Sequence, residues 1–133
     1  MNDSNSGFSK ATALVEDRIA ALNTNNYPVI LMGDFNCVYG NACWDSIKTW
    51  MYNTRYAPGV SIYSEDNQNL YTFNAFGDTS NTGRNKVDHI WVSKTITVDS
   101  YVTLTNAIRN YGGYTTNGET FLSDHYPIIA HIS

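Results

Sequence analysis

Charge is scarce in this sequence. Asp, Glu, Lys and Arg together make up 15% of its 133 residues, where about a quarter is usual. Cations are the scarcer sign: eight Lys and Arg stand against twelve Asp and Glu, for a formal charge of −4. No block of Lys or Arg stands out, so the basic stripe of a protein that grips many backbone phosphates is missing. That lowers long nucleic acid as a partner without excluding it, because a bound metal supplies positive charge that side chains lack. No apolar run is long enough to span a membrane. No charged-then-apolar segment opens the chain, so an exported form would carry its signal upstream of Met1. No repeat or linker divides the sequence, and its length suits one domain, residues 1–133, with one core.

Tyr, Asn and Thr stand where charges usually do, a composition more typical of secreted than of cytosolic proteins. Hydrophobic residues reach 42%, ordinary for a globular chain. The two cysteines, Cys37 and Cys43, lack the Cys-x-x-Cys spacing of a zinc or redox site. A short disulfide, if the protein is secreted, and a pair of buried thiols both remain open.

Periodicity gives a coarse order of elements. From Ser9 to Leu22, Ala11, Leu14, Val15, Ile19 and Leu22 recur at helical spacing, and the polar turn formers from Asn23 to Pro28 end that helix. Val29 to Met32 is too short for a helix and predicts a strand buried on both faces. Trp44, Ile47 and Met51 predict a second helix capped by Asn41. Residues 60–76 suggest short extended pieces. Val87 to Ser93 alternates as a strand. Ile96 to Leu104 alternates too, with Ile96, Val98, Val102 and Leu104 on one face and Thr97, Asp99, Tyr101 and Thr103 on the other. Tyr126 to Ile132 is the last strand, and residues 77–86 and 109–120 read as long polar loops.

Three places carry chemistry. Asp34 and Asn36 lie where the buried strand stops: a carboxylate for a proton or a metal, and an amide for a phosphate oxygen. Gly33-Asp34-Phe35-Asn36 reads equally well as a plain turn. Asp88 shares a strand face with Ile90 and Val92, and an ionised carboxylate there costs several kcal/mol unless a partner meets it. A histidine is the natural partner, since a carboxylate fixes the imidazole tautomer and stabilises its charged form. Asp124-His125, between a polar loop and the last strand, supplies one; in isolation it would be a loop Asp beside a surface His. His89 and His131 lack acidic or Cys neighbours at ligand spacing and read as structural. Arg84 and Lys86 are within reach of a phosphate but read as solvated loop. Tyr63, Tyr71, Phe73 and Phe76 read as packing, not as a base-stacking platform.

Three ordered motifs go together: Pro28-Val29-Ile30-Leu31-Met32-Gly33-Asp34-Phe35-Asn36, Lys86-Val87-Asp88-His89-Ile90-Trp91-Val92-Ser93 and Leu122-Ser123-Asp124-His125-Tyr126-Pro127-Ile128. With Thr72-Phe73-Asn74, they make the chain resemble the C-terminal half of the endonuclease/exonuclease/phosphatase (DNase I-like) superfamily. That superfamily includes nucleases, sphingomyelinases and inositol-phosphate phosphatases. The resemblance spans nearly the whole chain and implies an α/β (α+β) fold. The expected architecture is half of a four-layer αββα sandwich, with mixed, mostly antiparallel sheets and flanking helices. It also implies metal-dependent hydrolysis of a phosphodiester or phosphomonoester. In that scheme Asp34 aligns water or assists the leaving group, and Asn36 holds a phosphate oxygen. Asn74 also binds substrate. His125 meets the phosphoryl group, Asp88 orients it, and Asp124 lies at a Mg2+ or Mn2+ ion.

Relatives of this kind are about twice as long, and their first half carries an early Asn, a metal-binding Glu and often another His. Glu16, Glu65 and Glu119 do not fit the Glu role. The sequence therefore reads as a truncated half, with Met1 an internal or artificial start. A catalytically incomplete fragment that acts at most as a binding module is the alternative. An unrelated small binding domain would require the ordered motifs to be coincidence. Half of such a sandwich leaves an apolar sheet face uncovered, which predicts a homodimer, a need for the N-terminal half, or marginal stability. The substrate class stays open among nucleic acid, phospholipid head group and sugar phosphate.

Overall fold

The computed structural model describes residues 4–64, 71–77, 85–105, 114–116 and 119–133. Its elements run α1 (Ser4–Leu22), β1 (Ile30–Asp34), α2 (Ala42–Ile47), β2 (Met51–Asn53), β3 (Ser61–Ser64), a 3-10 turn (Ala75–Gly77), β4 (Asp88–Ser93), β5 (Val98–Thr103), β6 (Tyr114–Thr116), β7 (Glu119–Phe121) and β8 (Ile128–Ile132). One three-stranded sheet has the order β1-β4-β2 and is antiparallel throughout. The other has the order β3-β5-β8, with β3 parallel and β8 antiparallel to β5. The β6–β7 pair forms an antiparallel ribbon. Two sheets with helices against one of them make the α/β character expected of half a sandwich.

The first sheet sorts its residues by parity, as the strand period requires. Trp91 faces α2 and joins Cys37, Cys43, Trp44, Ile47 and Met51 in one buried cluster, with Leu31 and Phe35 packed against it. Burying each of the large side chains contributes about 1.5–3 kcal/mol. Val92 points the other way and meets Val98 and Ala57, so the second sheet lies on that side. A third cluster of Phe121 and Tyr126, flanked by Tyr71 and Phe76, lies under the loops that carry the site.

The structure corrects several expectations. β1 is not buried on both faces: Ile30 is 45% and Met32 64% exposed. β1 is an edge strand, and among the described residues nothing covers its end of the face shared with Ile90 and Val92. The first helix begins earlier, at Ser4, and its apolar stripe is half used: Val15 and Ile19 are half-buried while Leu14 and Leu22 are exposed. The second helix ends at Ile47, because Met51 pairs with Ser93 as the start of β2. Asn41 occupies the N-cap position with extended backbone, but its side chain makes no capping hydrogen bond. Along β5 the register slips between Val98 and Ser100. That bulge puts Tyr101 and Thr103 on the buried side with Val98, where strict alternation put Val102 and Leu104. The expected loop 109–120 holds strand β6 and the start of β7; residues 78–84, from the other expected loop, lie outside the described residues. No helix among the described residues is long and apolar enough to cross a membrane.

Candidate active site

Strand pairing builds the acidic floor of the site. Asp34 ends β1 and Asp88 begins β4, and the register sets them directly opposite one another. Residues opposed in this way share a face, and like charges there repel. The compensation comes from a third segment. The imidazole Nδ1 of His125 lies 2.7 Å from Asp88 Oδ2, in a partly buried pair. Burial pulls the His125 pKa down. The hydrogen bond and charge of Asp88, with the charges of Asp124 and Asp34, outweigh that and hold it above its ordinary value. The strand-face argument for a partner to Asp88 thus has its geometric counterpart.

Around Asp34 the chain turns sharply. The Asn36 N–H donates to Asp34 Oδ1 at 2.8 Å and its side-chain amide reaches Asp34 Oδ2 at 3.4 Å. Asn36 has φ +47, a left-handed conformation that Asn tolerates better than most residues. Asp34, Asn36 and His125 line one cavity of about 330 Å³, with Asn85 and Phe73 in its wall.

His125 is held by its surroundings. Phe73 pairs with it as an isolated antiparallel bridge and packs its ring against the imidazole, centroids 5.2 Å apart. The His125 N–H donates to Ser123 Oγ at 3.1 Å. Thr72, fully buried, accepts the N–H groups of Val87 and Asp88 on Oγ1, each at 3.0 Å. Its carbonyl accepts the Tyr126 N–H at 2.7 Å. One threonine therefore ties the Asp88 strand to the His125 loop. Sequence reasoning gave Thr72 no role, and a lone Thr carries no signal for one.

Asn74 is buried beneath the Asp124-His125 loop. It is 1% exposed. Its Nδ2 donates to the Ser123 carbonyl at 3.2 Å and its Oδ1 accepts the Phe76 N–H at 2.8 Å. Its own N–H donates to the Asp124 carbonyl at 2.6 Å. Both ends of the side chain are used inside the protein, where they hold the Asp124-His125 loop. Asp124 is half-buried, its backbone held by Asn74 and Ala75.

The remaining candidates fall where packing puts them. His89 is buried, 2.6 Å from the Cys37 carbonyl through Nε2, with its pKa lowered by burial. His131 is exposed. Cys37 and Cys43 form a disulfide. Tyr71 and Phe76 pack into the third cluster, whereas Tyr63 is exposed. Arg84 lies outside the described residues.

Residues 9–125 match the endonuclease/exonuclease/phosphatase family. The chain belongs to that family. A mannosyl-6-phosphatase of Bacteroides thetaiotaomicron superposes with TM-score 0.74 at 26% identity, over 96% of this chain and 46% of its own. An endonuclease/exonuclease/phosphatase of Bacteroides vulgatus superposes with TM-score 0.74 at 20% identity, over 97% and 44%. A conserved protein of Enterococcus faecalis does so with TM-score 0.72 at 22% identity, over 98% and 45%. The chain thus spans less than half the length of these solved relatives. No curated protein sequence matches it.

Endonuclease/exonuclease/phosphatase proteins generally act with a divalent metal. Such a hard cation takes about six or more oxygen ligands. Among the described residues no three His, Cys, Asp or Glu side chains converge as a ligand set. Asp88 is engaged by His125, and Asp34 by Asn36. The donors described here do not by themselves make a metal cage.

Proposed function

We propose that the whole protein hydrolyses a phosphoester and that this chain supplies its proton-handling half. The observation that carries the reading is the 2.7 Å pair between His125 Nδ1 and Asp88, beside the Asp34–Asn36 turn in one cavity. With Nδ1 held by a carboxylate, which favours the charged imidazolium, His125 turns Nε2 to a phosphoryl oxygen and stabilises the charge that builds there. Asp88 orients the ring and balances its charge. Asp34 aligns the attacking water, and the Asn36 amide meets a second phosphate oxygen. Asp124 would add one oxygen to a magnesium or manganese ion, which would neutralise charge on the phosphate. A sugar phosphate is the favoured substrate class, supported by the mannosyl-6-phosphatase likeness and by the lack of a basic stripe.

A second reading for this polypeptide alone is a binding module that lacks turnover, supported by the lack of a converging ligand set among the described residues. Exposed Ile30 and Met32 on the edge strand support a face completed by the rest of the domain or by a second copy. One assay separates the readings: hydrolysis of a generic aryl phosphodiester and of hexose 6-phosphate, with and without magnesium, beside His125→Ala. Magnesium-dependent turnover that falls on the order of 10²–10⁴-fold in the variant supports the hydrolase. A folded chain without turnover, even after the upstream half is restored, refutes it.

A further inference from the structure

The loop that leaves the Asp34–Asn36 turn carries an amide that the chemistry above leaves idle. Asn41 closes that loop as the residue before α2, with φ −80 and ψ 157, the extended backbone of an N-cap. An Asn there ordinarily folds its side-chain oxygen back onto the first free N–H groups of the helix. This one makes no capping hydrogen bond. Among the described residues only its backbone is engaged: its N–H donates to the Val38 carbonyl at 3.1 Å, and its carbonyl accepts the Asp45 N–H at 3.0 Å. Asn41 instead lines the cavity of about 330 Å³ that Asp34, Asn36 and His125 also line.

The neighbours of Asn41 hold it in place. The disulfide of buried Cys37 and Cys43 brackets the loop. His89 donates from Nε2 to the Cys37 carbonyl at 2.6 Å, which fixes the start of the loop to β4, one residue from Asp88. Trp44, just after the second cysteine, is buried in the same core cluster. A group turned to the cavity from so restrained a loop is preorganised, and engaging it costs little ordering entropy. The kind of group decides what it meets. A carboxamide presents a donor and an acceptor side by side. A phosphate oxygen beside it uses the donor alone, whereas a hydroxyl, itself donor and acceptor, pairs with either. A neutral amide adds no charge to the grip on a phosphate. It does separate an alcohol that bears hydroxyls from one that does not, because the analogue without them leaves the amide unpaired.

We propose that Asn41 is a specificity-determining residue: with the phosphoester at His125, the Asn41 side-chain amide hydrogen-bonds a hydroxyl of the alcohol moiety, so that polyol phosphates are favoured over phosphoesters of simple alcohols. The inference rests on the hydrolytic reading above and names the group that selects the substrate class at that site. It concerns the side chain of Asn41 and not the backbone N–H groups of the short helix behind it.

Calorimetric binding of two esters to the full chain, without divalent metal, tests it: glucose 6-phosphate, and cyclohexylmethyl phosphate, which keeps a ring and the phosphate but has no hydroxyl. The readout is the ratio of the two affinities. Asn41→Ser keeps a strong N-cap residue but is too short to present an amide to the cavity. It should hold the urea midpoint while the ratio falls about three- to tenfold, the strength of one neutral hydrogen bond. Asn41→Ala should lower the ratio equally. Lys48→Met, at an exposed position just past α2 and outside the cavity, should leave it unchanged. A merely structural Asn41 gives another pattern, in which Asn41→Ser matches wild type and only Asn41→Ala weakens binding; that pattern overturns the proposal. Equal weakening of both esters by Asn41→Ser puts the amide on the phosphate and overturns it too. Hydrolysis of both esters with magnesium, measured in parallel, separates the two readings. A lowered ratio without turnover, even after the upstream half is restored, keeps the role of Asn41 and removes the hydrolase. Turnover with an unchanged ratio keeps the hydrolase and removes the role of Asn41. No binding of either ester overturns the proposal.

Discussion

Truncating Asn74 distinguishes a positioning residue from a substrate contact. In Asn74→Ala, the Ser123 carbonyl loses its 3.2 Å donor and the Phe76 N–H its 2.8 Å acceptor. Each buried polar group left unpaired costs about 1–3 kcal/mol. Water entering the space recovers part of this, so a loss of about 2–4 kcal/mol is expected. A domain of this kind has about 5–15 kcal/mol in all, and with a urea slope of about 2 kcal/mol/M the midpoint should fall by about 1–2 M. Asn74→Asp should lose at least as much, because it keeps the acceptor for Phe76 but turns a carboxylate oxygen toward the Ser123 carbonyl. Equilibrium urea unfolding, followed by Trp fluorescence, reads both variants. A midpoint within about 0.2 M of wild type, with weakened sugar-phosphate binding, would refute the positioning role and favour Asn74 as a substrate contact.

Three further outcomes follow from geometry. Gly77 has φ +76, and a Cβ there would lie 2.5 Å from Cε2 of buried Phe121; Gly77→Ala should cost about 2–4 kcal/mol from backbone strain and overpacking, and an unchanged urea midpoint would disprove the contact. Burial lowers the His89 pKa. Above about pH 6.5 this residue is neutral in both states; below it the unfolded chain takes up a proton that the folded chain refuses, so stability falls with acid until the folded pKa is reached. The difference between wild-type and His89→Gln stability profiles from pH 8 to 5 should show this slope, and parallel profiles would contradict it. The Cys37–Cys43 disulfide closes a short loop, so Cys37→Ala with Cys43→Ala should cost about 2 kcal/mol; if reducing agent leaves the wild-type midpoint unmoved, the bond contributes nothing.

The fold class was legible because the motifs that carry it are local: an apolar run stopped by Gly33-Asp34, and an alternating strand that starts at Asp88. The Asp88–His125 pair was legible for a physical reason, that a carboxylate on an apolar strand face needs a partner. The slip along β5 was not, because nothing in Val98 to Thr103 marks a bulge, and one extra residue reverses every face after it. Met51 fell in phase with a helix and yet pairs with Ser93, since helical spacing of three residues says nothing about long-range partners. Asn74 and Thr72 were the hardest. Their work is done through backbone groups of segments far along the chain, and side-chain identity alone does not reveal such partners.

The connectivity of the first sheet governs how quickly the site can form. β1 pairs with β4 across the whole of α2, β2 and β3, and among the described residues neither three-stranded sheet contains a hairpin between consecutive strands. Every strand pairing in these two sheets must close a long loop before it returns any energy. Topologies of high contact order fold slowly, in milliseconds to seconds. During that wait the Val29–Met32 segment is an unpaired, β-prone, uncharged stretch, the kind that joins its neighbours into aggregates. Asp34 and Asp88 meet only once β1 and β4 have paired. A refolding chain would therefore gain secondary structure well before it gained the Asp88–His125 pair, and its yield would depend on how dilute it was kept in between.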